Sequence, residues 1–487
     1  MYAKDVLKGI NFSADSDISG LKISNVRDDS RLVGRDDMFI AVRGYAADGY
    51  KFINDAIKKG ARVIVSENDF DAPKGVKKII VKDARSAVPV IAGNFYSKPW
   101  KRLKMLGVTG TNGKTTITYL IESIVKAAGE EAGVIGTINY RVRDKVTPAK
   151  NTTPGPLGLA SFLADVRSLG VRYAVMEVSS HSLDQGRVDE ILFDIGIFAN
   201  ITSDHLDYHK TAAKYFRAKA NLFERLKKNG AAVLNSDDRK VASLKRSIKN
   251  TVVTYGIDKK ADIKAKDIKL SLTGSSFTVV MPRGCFNIHT KLIGRHNISN
   301  ILAAIAASYA LGIKREACIK GIVSFLAVPG RLEEVNAGQS FKVLVDYAHT
   351  EDALFNILSL LREVAKRRII TVFGCGGDRD RSKRPLMGKV ACKFSHRVVI
   401  TSDNPRFEEP QAIIDEIEKG VKNYFSNYDI VTDRRQAIEK AIGIARSGDI
   451  VIIAGKGHEN YQIIKDRVMP FDDREVARQI LGKSKCL

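Results

Sequence analysis

Gly110-Thr111-Asn112-Gly113-Lys114-Thr115-Thr116 follows the apolar segment 105–108 and opens a segment patterned as a helix. Strand, glycine turn and helix in that order read as a phosphate cradle. The glycines let backbone N–H groups crowd a polyphosphate, and the helix N-terminus adds partial positive charge. The ammonium of Lys114 reaches the outer phosphates, and a threonine hydroxyl such as that of Thr115 can ligate magnesium. The expectation is a protein that spends a nucleoside triphosphate. The full form of the motif would place another glycine at position 108, where the chain has Val108, so this is a shortened form. The competing reading, a glycine turn ahead of an ordinary helix, does not account for strand, Gly-Lys-Thr and helix arriving together.

A length of 487 residues suggests three domains, and 44% hydrophobic residues can supply each with a core. No apolar run approaches the roughly 20 residues that span a bilayer, and residues 1–20 are too polar and acidic for a signal peptide. A soluble, cytoplasmic protein is expected, without membrane insertion. The five cysteines are far apart and make no metal-type spacing, so reduced thiols are expected. A net charge of +24 invites a nucleic-acid partner. Lysines and arginines are nevertheless scattered along the whole chain without a reader motif, which favours small anionic substrates and no nucleic acid.

Residues 1–99 mix short β-patterned runs (38–42, 61–65, 78–81) with a helix pattern at 52–59, as in a small α/β domain. A linker is expected at 96–101, around Pro99 and Trp100. In residues 100–330, strand patterns at 105–108, 173–177, 195–199 and 231–234 alternate with helices, which implies a mostly parallel sheet. Residues 262–281 read as an added hairpin and 297–311 as an apolar helix. Residues 331–487 repeat the theme, with strands at 343–345, 369–373, 398–400 and 450–453. The fold class is therefore α/β: a small N-terminal domain, a central P-loop ATPase-like domain and a C-terminal Rossmann-like domain. Ligands of such sheets sit beyond the carboxyl ends of the strands.

Several candidate residues fall at those ends. Glu177 closes one strand and His205 follows another, and both can complete magnesium coordination beside the phosphate loop, although magnesium prefers oxygen. His205 and His209 have a zinc-like i, i+4 spacing, but Leu206 stands where H-E-x-x-H needs its glutamate. On periodicity alone Lys219 reads as a surface lysine and Asn297 as a helix cap. In the last domain, Asp346-Tyr347-Ala348-His349, Gly374-Cys375-Gly376-Gly377-Asp378-Arg379-Asp380, Asp403-Asn404-Pro405-Arg406 and Gly455-Lys456-Gly457-His458-Glu459 each follow a strand. Arg379 and Arg406 can grip carboxylates bidentately and Glu459 can pair with an ammonium, which together describe an amino-acid pocket.

These motifs, with Glu177-Val178-Ser179-Ser180-His181, Asp204-His205-Leu206-Asp207-Tyr208-His209, Gly294-Arg295-His296-Asn297 and Pro329-Gly330-Arg331, are similar in kind and order to those of the Mur ligases. That family forms amide bonds with ATP in peptidoglycan synthesis, and the resemblance covers essentially the whole chain. It resembles most the members that act on UDP-N-acetylmuramoyl-L-alanyl-D-glutamate. Asp403-Asn404-Pro405-Arg406 resembles the motif of enzymes that add meso-2,6-diaminopimelate, whereas lysine-adding relatives lack the arginine. Diaminopimelate is a lysine with an extra carboxylate at its far end, so the guanidinium rewards it and would sit unpaired against lysine.

The resemblance implies roles residue by residue. Gly110, Thr111, Asn112, Gly113, Lys114, Thr115 and Thr116 would hold ATP's phosphates, with Asn297, Arg331 and Asp346 at its base, phosphates and ribose. Mg²⁺ would be held by Thr115, Glu177, His205 and Lys219, the lysine as a carbamate, and catalytic roles fall to Lys114, Lys219 and His205. Ser30, Tyr45, Ala46, Ala47, Asn151, Thr152, Thr153, Ser179, Gln185 and Arg187 would bind the nucleotide-peptide. Arg379, Asp403, Asn404, Pro405, Arg406, Gly455 and Glu459 would surround diaminopimelate. Glu351, where related sequences commonly have proline, is a departure expected to matter little. The expected partners are the two substrates, and the expected state is a monomer. Three other readings stand beside this one: a folylpolyglutamate synthetase, a nucleic-acid-dependent NTPase and a catalytically dead scaffold.

Overall fold

The computed structural model describes residues 1–44, 48–202 and 204–483. The phosphate-loop strand Lys104–Thr109 lies inside an eleven-stranded sheet, between Phe193–Phe198 and Tyr173–Glu177 and parallel to both. Its side chains alternate faces as a strand must. Leu106 and Val108 enter one core with Ile117, Ile121 and Ile301 from the helices Lys114–Ala127 and Arg295–Ala310, while Met105 enters another. Gly107 is small by necessity, because a Cβ there would lie 2.9 Å from the Phe193 ring. A strand covered on both faces reads as a short apolar run, which is how the sequence presents it.

The N-terminal sheet has five strands. Phe12–Ala14 is antiparallel to Lys77–Val81, and Ala61–Ser66, Asp37–Ile40 and Val26–Arg27 follow in parallel. Residues 96–101, expected as a linker, are instead a packed joint: Pro99–Arg102 is a 3₁₀ turn with Trp100 buried against Gly93. The reason is that one apolar cluster runs from Ala3 and Ile91 through Trp100 to Met105 and Leu163, so this connection crosses a shared core. The expected hairpin at 262–281 gains a third strand, Gly284–Thr290, after Ile263–Ser271 and Gly274–Met281. That strand buries only Ile288 and Thr290, so its apolar alternation is too weak to read.

The C-terminal sheet orders Glu333–Glu334, Lys342–Asp346, Ile450–Ala454, Ile369–Phe373, Arg397–Ile400 and Tyr428–Ile430, all parallel after the first pair, with apolar clusters on both faces. The four polar motifs leave four adjacent strands at one edge. Below them the guanidinium of Arg434, fully buried, donates to Asp473 at 2.8 and 2.7 Å and to the Ala454 carbonyl at 3.0 Å. This pair ties the helix Asp473–Lys483 to the strand ends that carry the motifs. Among the described residues, no helix is long and apolar enough to cross a membrane.

Removing one partner of a buried ion pair strands the other in low dielectric. Asp473→Asn is therefore expected to destabilise this domain by about 3–5 kcal/mol, read as a lowered urea midpoint.

Candidate active site

The phosphate loop takes a shape that only its glycines allow: Gly110 has φ +145° and Gly113 φ +87°. A Cβ on Gly113 would also fall 2.3 Å from Asn300 Oδ1. Asn200, just past the strand Phe193–Phe198, clamps the loop by accepting from Asn112 N (2.9 Å) and donating to Asn112 O (3.0 Å). The Thr111 hydroxyl accepts from Thr202 N at 3.0 Å and lies 3.2 Å from the Tyr215 hydroxyl. Thr115 and Thr116 are buried in the first turn of the following helix.

Two lysines meet at this loop. Lys114 Nζ donates to the carbonyls of Gly110 and Thr111, each at 2.9 Å, and Lys219 Nζ donates to the same Gly110 oxygen at 2.8 Å. Lys219 is buried and lies over the Tyr215 ring, so it is no surface lysine. Burial first and the charge of Lys114 second push its amine well below the usual lysine range. A neutral amine is the form that adds carbon dioxide.

Glu177 is fully buried at the end of its strand. Its carboxylate accepts from Thr137 N (2.9 Å) and the Thr137 hydroxyl (3.0 Å), and a Cβ on Gly136 would lie 2.5 Å from Glu177 Oε1. His205 has φ +54°, sits 3.4 Å from Asp204 and packs edge-on against the His181 ring. Despite burial, which opposes it, Asp204 is held below the usual carboxyl range by His205, His349, Lys383 and Lys114. Among the described residues no three His, Cys, Asp or Glu side chains converge as a metal cage. The oxygen donors Thr115 and Glu177 nevertheless fit a Mg²⁺ that keeps water and phosphate ligands. Lys219 fits only after its charge is reversed.

Beside the loop a cavity of about 240 Å³ opens between the central and C-terminal sheets, lined by Asn297, Arg331, Asp346 and Asp352 among others. Asp352 accepts from Asn112 Nδ2 at 2.6 Å, a direct bond from the C-terminal helix Glu351–Val364 to the phosphate loop. Glu351 begins that helix, capped by Thr350. Asn297 is not the helix cap expected from sequence: the cap position is Gly294, without a side-chain bond, and Asn297 lies in the first turn, where it donates to the Ile293 carbonyl, accepts from Asn300 and lines the cavity. Thr202 Oγ1 is buried there without a partner. Asp346 accepts from Leu332 N and Ala348 N at 2.7 Å each, while burial pushes its carboxyl up to about 6 against the opposing pull of Arg331.

On the other side of Glu177, Thr153 Oγ1 donates to the Glu177 carbonyl at 2.8 Å and accepts from Ser179 N. Arg187 donates to the Thr153 carbonyl and to Gln185 Oε1. The Thr152 and Thr137 hydroxyls are 3.1 Å apart, and the Asn151 carbonyl accepts from Tyr140. Ser30 sits in a 3₁₀ turn of the N-terminal domain beside Asp29, which feels the charge of Lys150. Tyr45, Ala46 and Ala47 lie outside the described residues.

The last three C-terminal motifs meet one another at the sheet edge. Arg406, at φ +52°, donates from Nη1 to the Gly377 carbonyl at 2.7 Å, and a Cβ on Gly376 would meet that guanidinium at 3.0 Å. The exposed Arg379 side chain flanks the same glycine, its Cγ 3.8 Å from that Cβ position, and burial, then Arg379, lowers the Arg406 pKa. Asn404 Nδ2 donates to Glu459 at 2.9 Å. Gly455 has φ +121°, and a Cβ there would lie 2.5 Å from Asp403 Oδ2. Pro405 turns the chain so closely that a Cβ on Gly377 would overlap its carbonyl. Residue reasoning missed Lys456, Thr137, Asn200 and Asp352. The first lies inside a motif already singled out, and the others carry no local signal because their partners are distant in sequence.

The pattern of the Mur ligase middle domain matches residues 108–308, that of the Mur ligase glutamate ligase domain residues 330–457, and that of the Mur ligase family catalytic domain residues 22–96. The chain is 44% identical over 466 residues to the UDP-N-acetylmuramoyl-L-alanyl-D-glutamate--2,6-diaminopimelate ligase of Bacillus cereus, covering 94% of each. It is 44% identical over 486 residues to that of Clostridium tetani, covering 99% of each. A solved structure of a ligase with the same name is 33% identical, covers 97% of both chains and superposes with a TM-score of 0.68. The MurF ligase of Thermotoga maritima in complex with ADP, 19% identical over 96% of this chain and 99% of its own with a TM-score of 0.69, shares the fold.

Because the Asp346 carboxyl is raised, the native state holds an extra proton between about pH 4 and 6. Its cost to folding is thus present above about pH 6 and relieved below it, while any role as an acceptor for a nucleotide hydroxyl runs the other way. The KM for ATP is expected to rise as pH falls through about 6 in the wild type, with that step absent in Asp346→Asn.

Proposed function

The chain belongs to the Mur ligase family, and from that premise we propose that it joins meso-2,6-diaminopimelate to UDP-N-acetylmuramoyl-L-alanyl-D-glutamate while converting ATP to ADP and phosphate. The observation that carries this reading is the cluster of Arg379, Arg406, Asn404 and Glu459, two guanidinium groups and a carboxylate at the carboxyl edge of the C-terminal sheet. That set matches an amino-acid end bearing both a carboxylate and an ammonium.

A carboxylate oxygen of the substrate's D-glutamate attacks the γ-phosphorus of ATP, the bond to ADP breaks, and an acyl phosphate forms. Lys114 and the N–H groups of the loop offset charge on the transferring phosphoryl group. Held by Thr115 and Glu177, with His205 and a carbamylated Lys219 at a second site, Mg²⁺ would supply further charge neutralisation. The neutral amine of diaminopimelate then attacks the acyl carbon, gives up a proton, and phosphate leaves as the amide forms. No covalent enzyme intermediate is needed.

Asn151, Thr152, Thr153, Ser179, Gln185 and Arg187 ring the far side of Glu177, where the nucleotide-peptide's acceptor end would lie, with its uridine end toward Ser30. Residues 1–99, 100–330 and 331–487 serve this reading as nucleotide-peptide, ATP and amino-acid domains. The protein acts as a cytoplasmic monomer on small anionic substrates, without nucleic acid.

Phosphate release with ATP, magnesium and the UDP-dipeptide is expected with meso-diaminopimelate and not with L-lysine, the product being identified by mass. Equal or greater turnover with lysine would sink the pocket assignment. Arg406→Ala should cost about 10- to 100-fold in kcat/KM for diaminopimelate, the size of a lost charge-assisted hydrogen bond. With ¹³C-bicarbonate, a carbamate carbon resonance is expected in the wild type and not in Lys219→Ala.

A further inference from the structure

Arg379 and Arg406 follow two different strands, Ile369–Phe373 and Arg397–Ile400, so their spacing has to be set from outside either strand. Arg406 is pinned by its own main chain. Its N–H donates to the Ile463 carbonyl at 3.1 Å, and its carbonyl accepts from Lys465 N at 2.7 Å. Gly377 is fixed likewise, by a bond from its N–H to the Asn404 carbonyl at 2.9 Å. Beyond Gly377 the loop has fewer ties. Arg379 is exposed, and among the described residues its guanidinium donates only to the carbonyl of its neighbour Asp378, at 3.3 Å. Asp378 itself stands at φ +51°, a left-handed backbone that a residue with a Cβ keeps only where its surroundings hold it.

Glu408 supplies that hold. Its Oε1 accepts from Asp378 N at 2.6 Å. The same carboxylate is gripped bidentately by Arg384, Nη1 to Oε2 and Nη2 to Oε1, at 2.8 Å each. Arg384 is fully buried at the start of the helix Lys383–Phe394, and it also donates to Glu416 at 2.9 Å and to the Gly376 carbonyl at 3.2 Å. One buried guanidinium thus anchors both loops. It meets the first at Gly376 and, through Glu408, at Asp378; it meets the second because Glu408 lies two residues past Arg406. Paired in this way, the Glu408 carboxyl is held down at about 2, so it is an anion throughout the neutral range.

We infer that Glu408, held by Arg384, is a positioning residue for the amino-acid site: it keeps the Asp378-Arg379 backbone in its left-handed turn and so sets where Arg379 stands relative to Arg406. This rests on the diaminopimelate reading above. Two guanidinium groups serve one amino acid only at a spacing that its charged ends allow, and charge-assisted hydrogen bonds tolerate little displacement. Arg406 has the main-chain bonds of the hairpin strand Tyr461–Ile464 to hold it. Arg379 has Glu408.

The test is a double-mutant cycle on the full chain with saturating ATP and UDP-dipeptide, reading kcat/KM for meso-diaminopimelate in wild type, Glu408→Ala, Arg379→Ala and the two combined. Glu408→Ala is expected to lower kcat/KM about tenfold or more, the size of a lost hydrogen bond to a charged group, with the KM for ATP unchanged. In the Arg379→Ala background the same substitution should cost little, because its effect runs through a guanidinium that is no longer there. No loss in the single variant, or equal fold losses in both backgrounds, overturns the inference. A KM for ATP that rises in step also overturns it, since a general loss of structure behaves that way. If the alanine variant does not fold, Glu408→Gln takes its place in the cycle, keeping the shape of the side chain while giving up the charge paired with Arg384, and the same outcomes decide. Failure of the wild type to use diaminopimelate would sink the parent reading instead, and is seen before any variant is made.

Discussion

Two ammonium groups share one backbone oxygen. Lys114 and Lys219 both donate to the Gly110 carbonyl, burial disfavours the charged form of each, and the charge of Lys114 further disfavours that of Lys219. Like charges in low dielectric demand an anion or the loss of a proton. A polyphosphate at the loop answers the demand for Lys114, and conversion of Lys219 to an anionic carbamate would answer it for the second. The glycines at 110 and 113 then have a definite purpose. They give the loop a shape in which both amines meet at one carbonyl, the place an anion would have to compete for.

The same loop is tied to the next domain. Asn112 reaches Asp352, and the turn at Gly330 packs so tightly on the loop Gly457-His458 that a Cβ on Gly330 would lie 2.0 Å from the His458 nitrogen. Arg331 leaves this turn over the Tyr347 ring, beside the Asp346 carboxylate. The segment that joins the domains is thereby a structural part of the motif that ends in Glu459. An acyl phosphate is short-lived in water, so chemistry divided between two domains needs them docked at the moment of transfer. The Asn112–Asp352 side-chain bond spans the two domains directly, and the Gly330 turn fastens their connection to the second.

Much of this was legible in the residues alone. Parallel strands buried on both faces announce themselves as apolar runs, and the polar motif after each run marks the sheet edge where ligands gather. The strand Tyr173–Glu177 and the strand Ile369–Phe373 match their sequence patterns residue for residue. What escaped reading depends on contacts far apart in the chain. Trp100 is packed because an N-terminal helix lies over it, and Gly284–Thr290 is an edge strand with little to bury. Lys219 reads as exposed from its polar neighbours, yet Tyr215 and the phosphate loop cover it. Lys456 was in view but unremarkable, since a lysine between glycines gives no sign that its ammonium points inward.

The fold alone does not choose the substrate. The MurF ligase of Thermotoga maritima shares that fold at 19% identity, so a common scaffold serves ligases of different names. Discrimination must then lie in side chains at the strand ends, and in the C-terminal sheet these are organised in two tiers. The lower tier, Arg434 with Asp473, is neutral as a pair, and its bonds to the Ser402 and Ala454 carbonyls fix where the two strands flanking Ile369–Phe373 stop. The upper tier carries the charges Arg379, Arg406, Asp378, Asp403 and Glu459 on residues that follow those two strands and the one between them. A rigid neutral base beneath a charged rim lets the rim's composition change without disturbing the sheet, which is what a family needs if one architecture is to select among amino acids.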